Sequence, residues 1–117
     1  MPEDLQDDGL PVAEVGEWSP EKHDRLRRYV DISREVRKKF IRGAGASYID
    51  LYCGPGRSKI RETGRVIDGS PLVAAAKALE SSTAFTRILI GVSDGASVAA
   101  ASARLTAQGF INWQKIR

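Results

Sequence analysis

Apolar residues recur at helical spacing in three stretches of the chain. A short, mainly apolar run follows each stretch. The first stretch opens with Ser19-Pro20, a pair typical of a helix start, and ends at Gly43. The second opens with Ser70-Pro71, and the third ends at Gly109. The short runs, which predict strands, occupy residues 48–53, 85–92 and 110–116. The predicted order is therefore helix, strand, helix, strand, helix, strand.

Strands that alternate with helices predict an α/β fold in which parallel strands are joined by helical crossovers. The run at 85–92 is apolar almost throughout, which favours a strand covered on both faces. We therefore expect a Rossmann-like, methyltransferase-like three-layer sandwich, the N-terminal half of a parallel sheet preceded by a basic helix. The expected organisation is an acidic extension at 1–18, a basic amphipathic helix at 19–43 and a partial α/β domain at 44–117.

The net charge of +3 over 117 residues conceals an uneven distribution. Residues 1–19 contain six acids and no Lys or Arg, which is typical of a mobile or loosely docked arm. Residues 20–42 contain nine bases and four acids. This basic helix is either a surface helix with a solvated charged face or a positive face that contacts nucleic acid.

Several classes of protein are excluded or disfavoured by what the chain contains. Its single cysteine, Cys53, excludes an internal disulfide and a multi-cysteine metal site. Its single histidine, His23, excludes a histidine cluster and makes a Ser-His-Asp triad improbable. No window approaches the roughly 18 apolar residues that a membrane span needs. We expect a cytoplasmic protein with no membrane span, no metal and no identifiable catalytic residue.

The candidate ligand site is the segment Y-I-D-L-Y-C-G-P-G, in which Asp50 stands near the end of a strand and Gly54 and Gly56 follow. Glycines let the backbone approach a ligand closely, and a carboxylate at a strand end accepts hydrogen bonds from ligand amines or hydroxyls. Lys59 stands where the dinucleotide fingerprint requires a glycine, and the P-loop pattern is absent. The alternative is a tight turn with a structural aspartate.

Further candidates lie next to this segment and after the second strand. Cys53 belongs to the same turn. No basic partner that could activate it as a nucleophile is nearby in sequence, so its interpretation as a small buried residue is favoured. Asp94 either binds ribose hydroxyls or caps the next helix. The long stretch at 57–69 either covers a ligand and contacts phosphate or is a solvated excursion. Its candidate phosphate contacts are Arg57, Lys59, Arg61 and Arg65.

Three segments together resemble the N-terminal part of a bacterial family, the three-Cys-motif partner proteins (TcmP). They are E-W-S-P-E-K-H-D-R-L-R-R-Y, Y-I-D-L-Y-C-G-P-G-R-S and G-x-x-I-D-G-S-P-L-V-A-A. The resemblance runs from about Glu17 to Gly109 and implies a divergent relative of the S-adenosylmethionine-dependent methyltransferases. It implies that Asp50, Gly54 and Gly56 lie against the methionine and ribose parts of S-adenosylmethionine. Cys53 and Asp94 complete the candidate cofactor-binding set.

The resemblance assigns no reaction to the chain. Members of the family are longer, and the acceptor-binding residues of a methyltransferase follow the fourth strand, so we expect a truncated chain that is inactive alone. The expected function is binding of S-adenosylmethionine or a nucleotide, with a three-cysteine protein as partner. The alternative is a non-catalytic module that binds nucleic acid or protein through the helix at 20–42 and the loop at 57–69. The unpaired last strand also suggests a homodimer.

Overall fold

Ten helices and strands form the part of the chain that the computed structural model describes, residues 7–51, 53–91 and 95–116. Asp94 therefore lies outside the described residues. In chain order the elements are β1 (Ala13–Val15), α1 (Ser19–Ile32), α2 (Arg34–Ile41), β2 (Ser47–Asp50), β3 (Arg57–Ile60), β4 (Val66–Asp68), α3 (Ser70–Glu80), β5 (Arg87–Ile90), α4 (Gly95–Ala107) and β6 (Trp113–Lys115).

The three predicted strands pair with one another in a parallel sheet of order β2-β5-β6. The central strand, β5, aligns Ile88 with Tyr48 on one side and with Trp113 on the other. Helices α3 and α4 connect the strands, as the alternating pattern predicts. The α/β class is therefore confirmed.

Both connecting helices contribute to one hydrophobic core on a single face of this sheet. Ile88 and Ile90 of β5 are buried there, with Leu72 of α3 and Leu105 of α4. On the opposite face Ile49 is 58% exposed, and no second helical layer covers it within the described residues. Because both helices pack on the same side, a strand covered by helices on both faces is not observed within the described residues. The three-layer arrangement is not observed.

The basic stretch after Ser19 is helical but is interrupted at Ser33, which separates α1 from α2. The hydroxyl of Ser33 donates to the Val30 carbonyl at 3.1 Å and accepts from Arg37 Nη1 at 2.6 Å. Such local bonds of a serine side chain compete with regular helix geometry. The interruption allows α1 to pack mainly on α3 while α2 turns Arg37 inward.

Residues 57–69, expected as a long loop, form a β-hairpin. Strands β3 and β4 pair antiparallel, and the turn between them closes with the Gly64 amide donating to the Ile60 carbonyl at 2.7 Å. β1, from the acidic arm, pairs parallel with β3, so this second sheet is mixed, of order β1-β3-β4. The arm is thus docked as a strand. Its isolated pattern A-E-V gives no strand signal of its own.

The two ends of the hairpin lie next to each other, at Gly56 and Gly69. The Gly69 amide donates to the Gly56 carbonyl at 2.8 Å, and α3 begins at the next residue. A Cβ at Gly69 would lie 3.1 Å from the carbonyl carbon of Gly56, so only glycine fits this crossing without displacement. The insertion therefore leaves β2, the glycine turn and α3 next to one another.

Candidate ligand-binding site

A cavity of about 360 Å³ lies just beyond the carboxyl end of β2. Its walls come from α1, from the hairpin sheet and from the first residues of α3. The residues that line it are Ala13, Val15, Ser19, Lys22, His23, Leu26, Cys53, Gly54, Ser58, Gly69 and Ser70. The glycine turn and the start of α3 therefore meet at one cavity, as the motif predicts for a ligand site.

The two glycines of the turn G-P-G have different surroundings. Both have positive φ, +59° at Gly54 and +89° at Gly56. A Cβ at Gly54 would meet no atom within 4 Å, so its backbone is open where it lines the cavity. A Cβ at Gly56 would lie 3.1 Å from the Ala101 Cα, and Gly56 does not line the cavity. Gly54 is therefore available to a ligand, while Gly56 allows α4 to pack closely.

Asp50 connects the end of β2 to the start of α3. Its Oδ2 accepts hydrogen bonds from the Tyr48 hydroxyl at 3.1 Å and from the Ser70 hydroxyl. Burial, and secondarily the negative charge of Asp50, raise the pKa of Tyr48, so the phenol remains a donor at neutral pH. Asp50 is not among the residues that line the cavity, although Ser70 is. The carboxylate therefore positions Ser70, the residue that faces the ligand space.

Cys53 lines the cavity and is buried. Burial, with a smaller contribution from the Asp50 charge, raises the pKa of its thiol to about 11. Only the thiolate is a strong nucleophile, so at neutral pH this sulfur behaves as a small neutral group. The structure therefore favours the interpretation of Cys53 as a packed wall residue.

The electrostatic character of the cavity is neutral to positive. Lys22 and His23 reach it from α1, and no carboxylate is among the described lining residues. Burial lowers the pKa of His23 below 6.5, with further lowering by Arg27 and Lys22, so the imidazole is neutral at pH 7. Helix α3 has no acid in its first turn, but the Asp50 carboxylate accepts from the hydroxyl of Ser70, its first residue, and offsets part of the positive charge at this helix end. An anionic group of a ligand would therefore be stabilised chiefly by Lys22.

The four candidate phosphate contacts do not converge on this cavity. Arg57 forms ion pairs with Asp7 at 3.6 Å and Asp8 at 3.4 Å, and Arg61 forms one with Glu14 at 3.8 Å. These two arginines hold the acidic arm. Lys59 lies partly buried within β3. Arg65 lines a separate hollow of about 250 Å³, together with His23.

The bases of α1 and α2 are largely engaged by neighbouring acids. Pairs one helical turn apart join Arg25 to Glu21, Arg27 to Asp24, Arg34 to Asp31 and Lys38 to Glu35. Arg37 is buried, donates to the Thr83 carbonyl at 3.1 Å and hydroxyl at 2.8 Å, and lies 5.0 Å from the Phe85 ring centroid. Arg37 is therefore a packing residue and not part of a surface for nucleic acid.

Arg104 is a central residue that the sequence interpretation did not identify. Its side chain is 2% exposed and donates to both carboxylate oxygens of Asp8, at 2.9 and 3.0 Å. It also donates to the carbonyls of Leu10, Pro11 and Pro55. Hydrogen bonding to Arg104 lowers the pKa of Asp8 to about 2. One feature of the sequence could have indicated that Arg104 is buried: it is an arginine within the apolar, alanine-rich stripe of the last predicted helix.

The geometry describes an α/β protein with a ligand-sized cavity beside a glycine turn. Comparison with profiles of known families, with curated proteins and with solved structures found no match. Within the described residues, no helix is long and apolar enough to cross a membrane. No group of three or more His, Cys, Asp or Glu in that part of the chain could hold a metal ion.

Proposed function

We propose that the chain binds S-adenosylmethionine or a nucleotide in the cavity beside Gly54, as the cofactor-side part of a Rossmann-like protein related to methyltransferases. The observation that carries the proposal is the meeting of the Gly54 turn, the end of β2 and the start of α3 around one cavity. Ligands of open α/β sheets bind at the carboxyl ends of the strands. The resemblance to the three-Cys-motif partner family supports the same site.

The residues of the cavity fit a nucleoside that carries an anionic group. Its volume of about 360 Å³ lies near the lower end of the range for small-molecule sites, about 300–1,000 Å³. Ala13, Val15 and Leu26 supply an apolar wall suited to a flat ring. Lys22 suits the carboxylate of S-adenosylmethionine and equally the phosphate of a nucleotide.

The roles of the chain's own residues follow from these contacts. Gly54 permits close backbone approach, and Lys22 pairs with the anionic group. The Ser58 hydroxyl is available for a hydrogen bond to the ligand, and the Ser70 hydroxyl, which donates to Asp50, can accept one. S-adenosylmethionine, when bound, supplies an activated methyl group. No residue described here acts as an acceptor-side base, so the proposal is for binding and assigns no catalytic step.

Calorimetry with S-adenosylmethionine, S-adenosylhomocysteine and ADP, each titrated separately, tests the proposal. We expect saturable binding of one class of ligand, which distinguishes the amino-acid carboxylate from the phosphate. Lys22→Ala should weaken it at least tenfold, about 1.4 kcal/mol. Lys39→Ala, which removes a cation outside the cavity, should leave it unchanged.

A second pair of variants tests the glycine itself. Gly54 and Gly64 both have positive φ, and a Cβ at either would meet no atom within 4 Å. Gly54→Ala and Gly64→Ala should therefore lower the free energy of unfolding by similar amounts. Only Gly54→Ala should weaken binding of the ligand. Absence of heat with all three ligands, or equal effects of the two variants on affinity, would exclude this site.

The alternative function, a nucleic-acid-binding helix, has less support. Four of the bases in α1 and α2 form ion pairs with acids three or four residues away, and Arg37 is buried. These helices also expose the apolar side chains of Tyr29, Val36 and Phe40, which favour a protein partner.

A further inference from the structure

The docked part of the acidic arm forms one wall of the cavity beside Gly54. We call residues 7–16, which end with β1 and Gly16, the docked arm. Ala13 and Val15 of this segment line the cavity, together with Cys53 and Gly54 of the glycine turn. The other lining residues belong to α1, β3 and the start of α3. Displacement of the docked arm would therefore open the cavity on the side of β1.

The docked arm is attached mainly by ion pairs and backbone hydrogen bonds. Of its residues only Gly16 is buried, and none belongs to either hydrophobic core cluster of the described chain. β1 adds just three register pairs with β3, among them Val15 with Ile60. A segment with few buried apolar contacts opens at a smaller free energy than the whole fold. The docked arm can therefore leave while the core stays folded.

Three arginines outside the docked arm hold its carboxylates. Arg104 donates to both carboxylate oxygens of Asp8, at 2.9 and 3.0 Å. Arg57 lies 3.4 Å from the same carboxylate, and Arg61 lies 3.8 Å from that of Glu14. The side chains of Arg57 and Arg61 are 29 and 51% exposed, so water weakens their ion pairs. Asp8, which contacts two arginines, is therefore the principal attachment.

The docked arm joins α1 through one close turn. The Ser19 amide donates to the Gly16 carbonyl at 3.1 Å at this point. A Cβ at Gly16 would collide with the Trp18 ring, so the turn requires glycine. Helix α1 is held separately, by its packing on α3. Movement about this turn would therefore remove β1 from the cavity and leave α1 in place.

Arg104 also connects the docked arm to the glycine turn. Its Nη1 donates to the Pro55 carbonyl at 2.9 Å, between the two glycines. A ligand that contacts both Gly54 and the wall formed by β1 makes all of its contacts only while the arm is docked. By linkage, such a ligand stabilises the docked state by the same factor by which docking strengthens its binding.

We propose that the docked arm is a strap that closes the cavity beside Gly54, opens when the contacts of Asp8 break, and is held closed by a bound ligand. The opening itself follows from the contacts of the arm, whereas its effect on ligand exchange rests on the function proposed above. Cys53, the single cysteine of the chain, is buried in the wall of this cavity. Its thiol therefore reports the open state without any ligand.

Alkylation of Cys53 by iodoacetamide at a fixed pH measures the opening. Asp8→Asn should raise the rate about tenfold and Arg57→Gln about threefold, because both weaken the attachment of the arm. Arg25→Gln, which removes the exposed ion pair with Glu21, should leave the rate unchanged. Urea below about 1 M should scarcely change the rate, because release of so short a segment exposes little surface. Equal rates in the wild-type protein and Asp8→Asn, or a rate that rises with urea as steeply as global unfolding, would overturn the proposal.

Ligand exchange is measured by surface plasmon resonance with S-adenosylhomocysteine and with ADP. The ligand that binds should protect Cys53 from alkylation, and it should dissociate about tenfold faster from Asp8→Asn than from Arg25→Gln. Equal dissociation rates, or binding without protection of Cys53, would contradict the closing of the strap by a ligand. Alkylation that depends on Asp8 while neither ligand binds would contradict the function proposed above and support the strap alone.

Discussion

The contact between Arg104 and Asp8 joins the acidic arm to the rest of the protein, and Asp8→Asn measures its contribution. In the folded protein the pKa of Asp8 is about 2, against an ordinary value of 3.8. A difference of this size corresponds to at most ~2.4 kcal/mol at neutral pH. The Asp8 side chain is 28% exposed, so solvent screening reduces the expected loss to about 1–2 kcal/mol.

The pH dependence of this contribution has a definite sign. The folded state binds the Asp8 proton less tightly than the unfolded state, so the stabilisation is complete above pH 4. It is lost as the pH falls from about 4 towards 2. The wild-type protein and Asp8→Asn should therefore differ in unfolding free energy at pH 7 and converge in this acidic range.

Urea unfolding at pH 7 and across the acidic range is the assay. The matched control is Asp7→Asn, since that carboxylate is 95% exposed and lies 3.6 Å from Arg57. It should change stability by less than ~0.5 kcal/mol. Hydrogen exchange in β1 should accelerate in Asp8→Asn, because the ion pair between Arg104 and Asp8 holds the arm that supplies one wall of the cavity. Equal stability of the two variants at pH 7 would refute the reasoning.

Three further predictions concern buried groups. Gly56→Ala should destabilise the protein by about 1–3 kcal/mol, because a Cβ there meets the α4 backbone at positive φ. In urea unfolding, the control Gly64→Ala should lower the free energy of unfolding by less, because a Cβ at Gly64 meets no atom within 4 Å. A larger loss in Gly64→Ala than in Gly56→Ala would contradict this. Alkylation of Cys53 by iodoacetamide should be slow at pH 7 and accelerate towards pH 11; a rate at pH 7 equal to that of glutathione would contradict the raised pKa. Arg37→Met should destabilise the protein by about 1–3 kcal/mol, because the buried Thr83 loses its partner; thermal unfolding unchanged by the substitution would contradict this.

The elements that the sequence predicted correctly are those with local signals. Helix α3 begins at Ser70, one residue before the start that the Ser-Pro pair predicts, with Gly69 and not Ser70 as the N-cap. Helix α4 ends just before Gly109, whose φ of +91° only glycine adopts readily. The three strands of the parallel sheet overlap the predicted apolar runs, and only Ser47 lies outside them. The hairpin at 57–69 was missed because its strands are only three and four residues long, and because β3, which is mostly polar, pairs with the distant arm.

The candidate site was predicted only in outline. The motif located the glycine turn, and the structure supplies a cavity there, lined by Gly54 and Cys53. It did not distinguish Gly54 from Gly56, since their difference comes from the position of α4. Lys22 and His23 reach the same cavity from α1, and no motif connects them to the turn.

By itself, the sequence determined where α3 begins and α4 ends, which three runs form the parallel sheet, and that the fold is α/β. These features follow from spacing, capping and backbone preferences within a few residues. Tertiary structure alone decided which charged side chains are buried, which face of the sheet is covered and which glycine meets the cavity. The reason is distance along the chain: Arg104 and Asp8 are 96 residues apart, and only folding brings them within 2.9 Å.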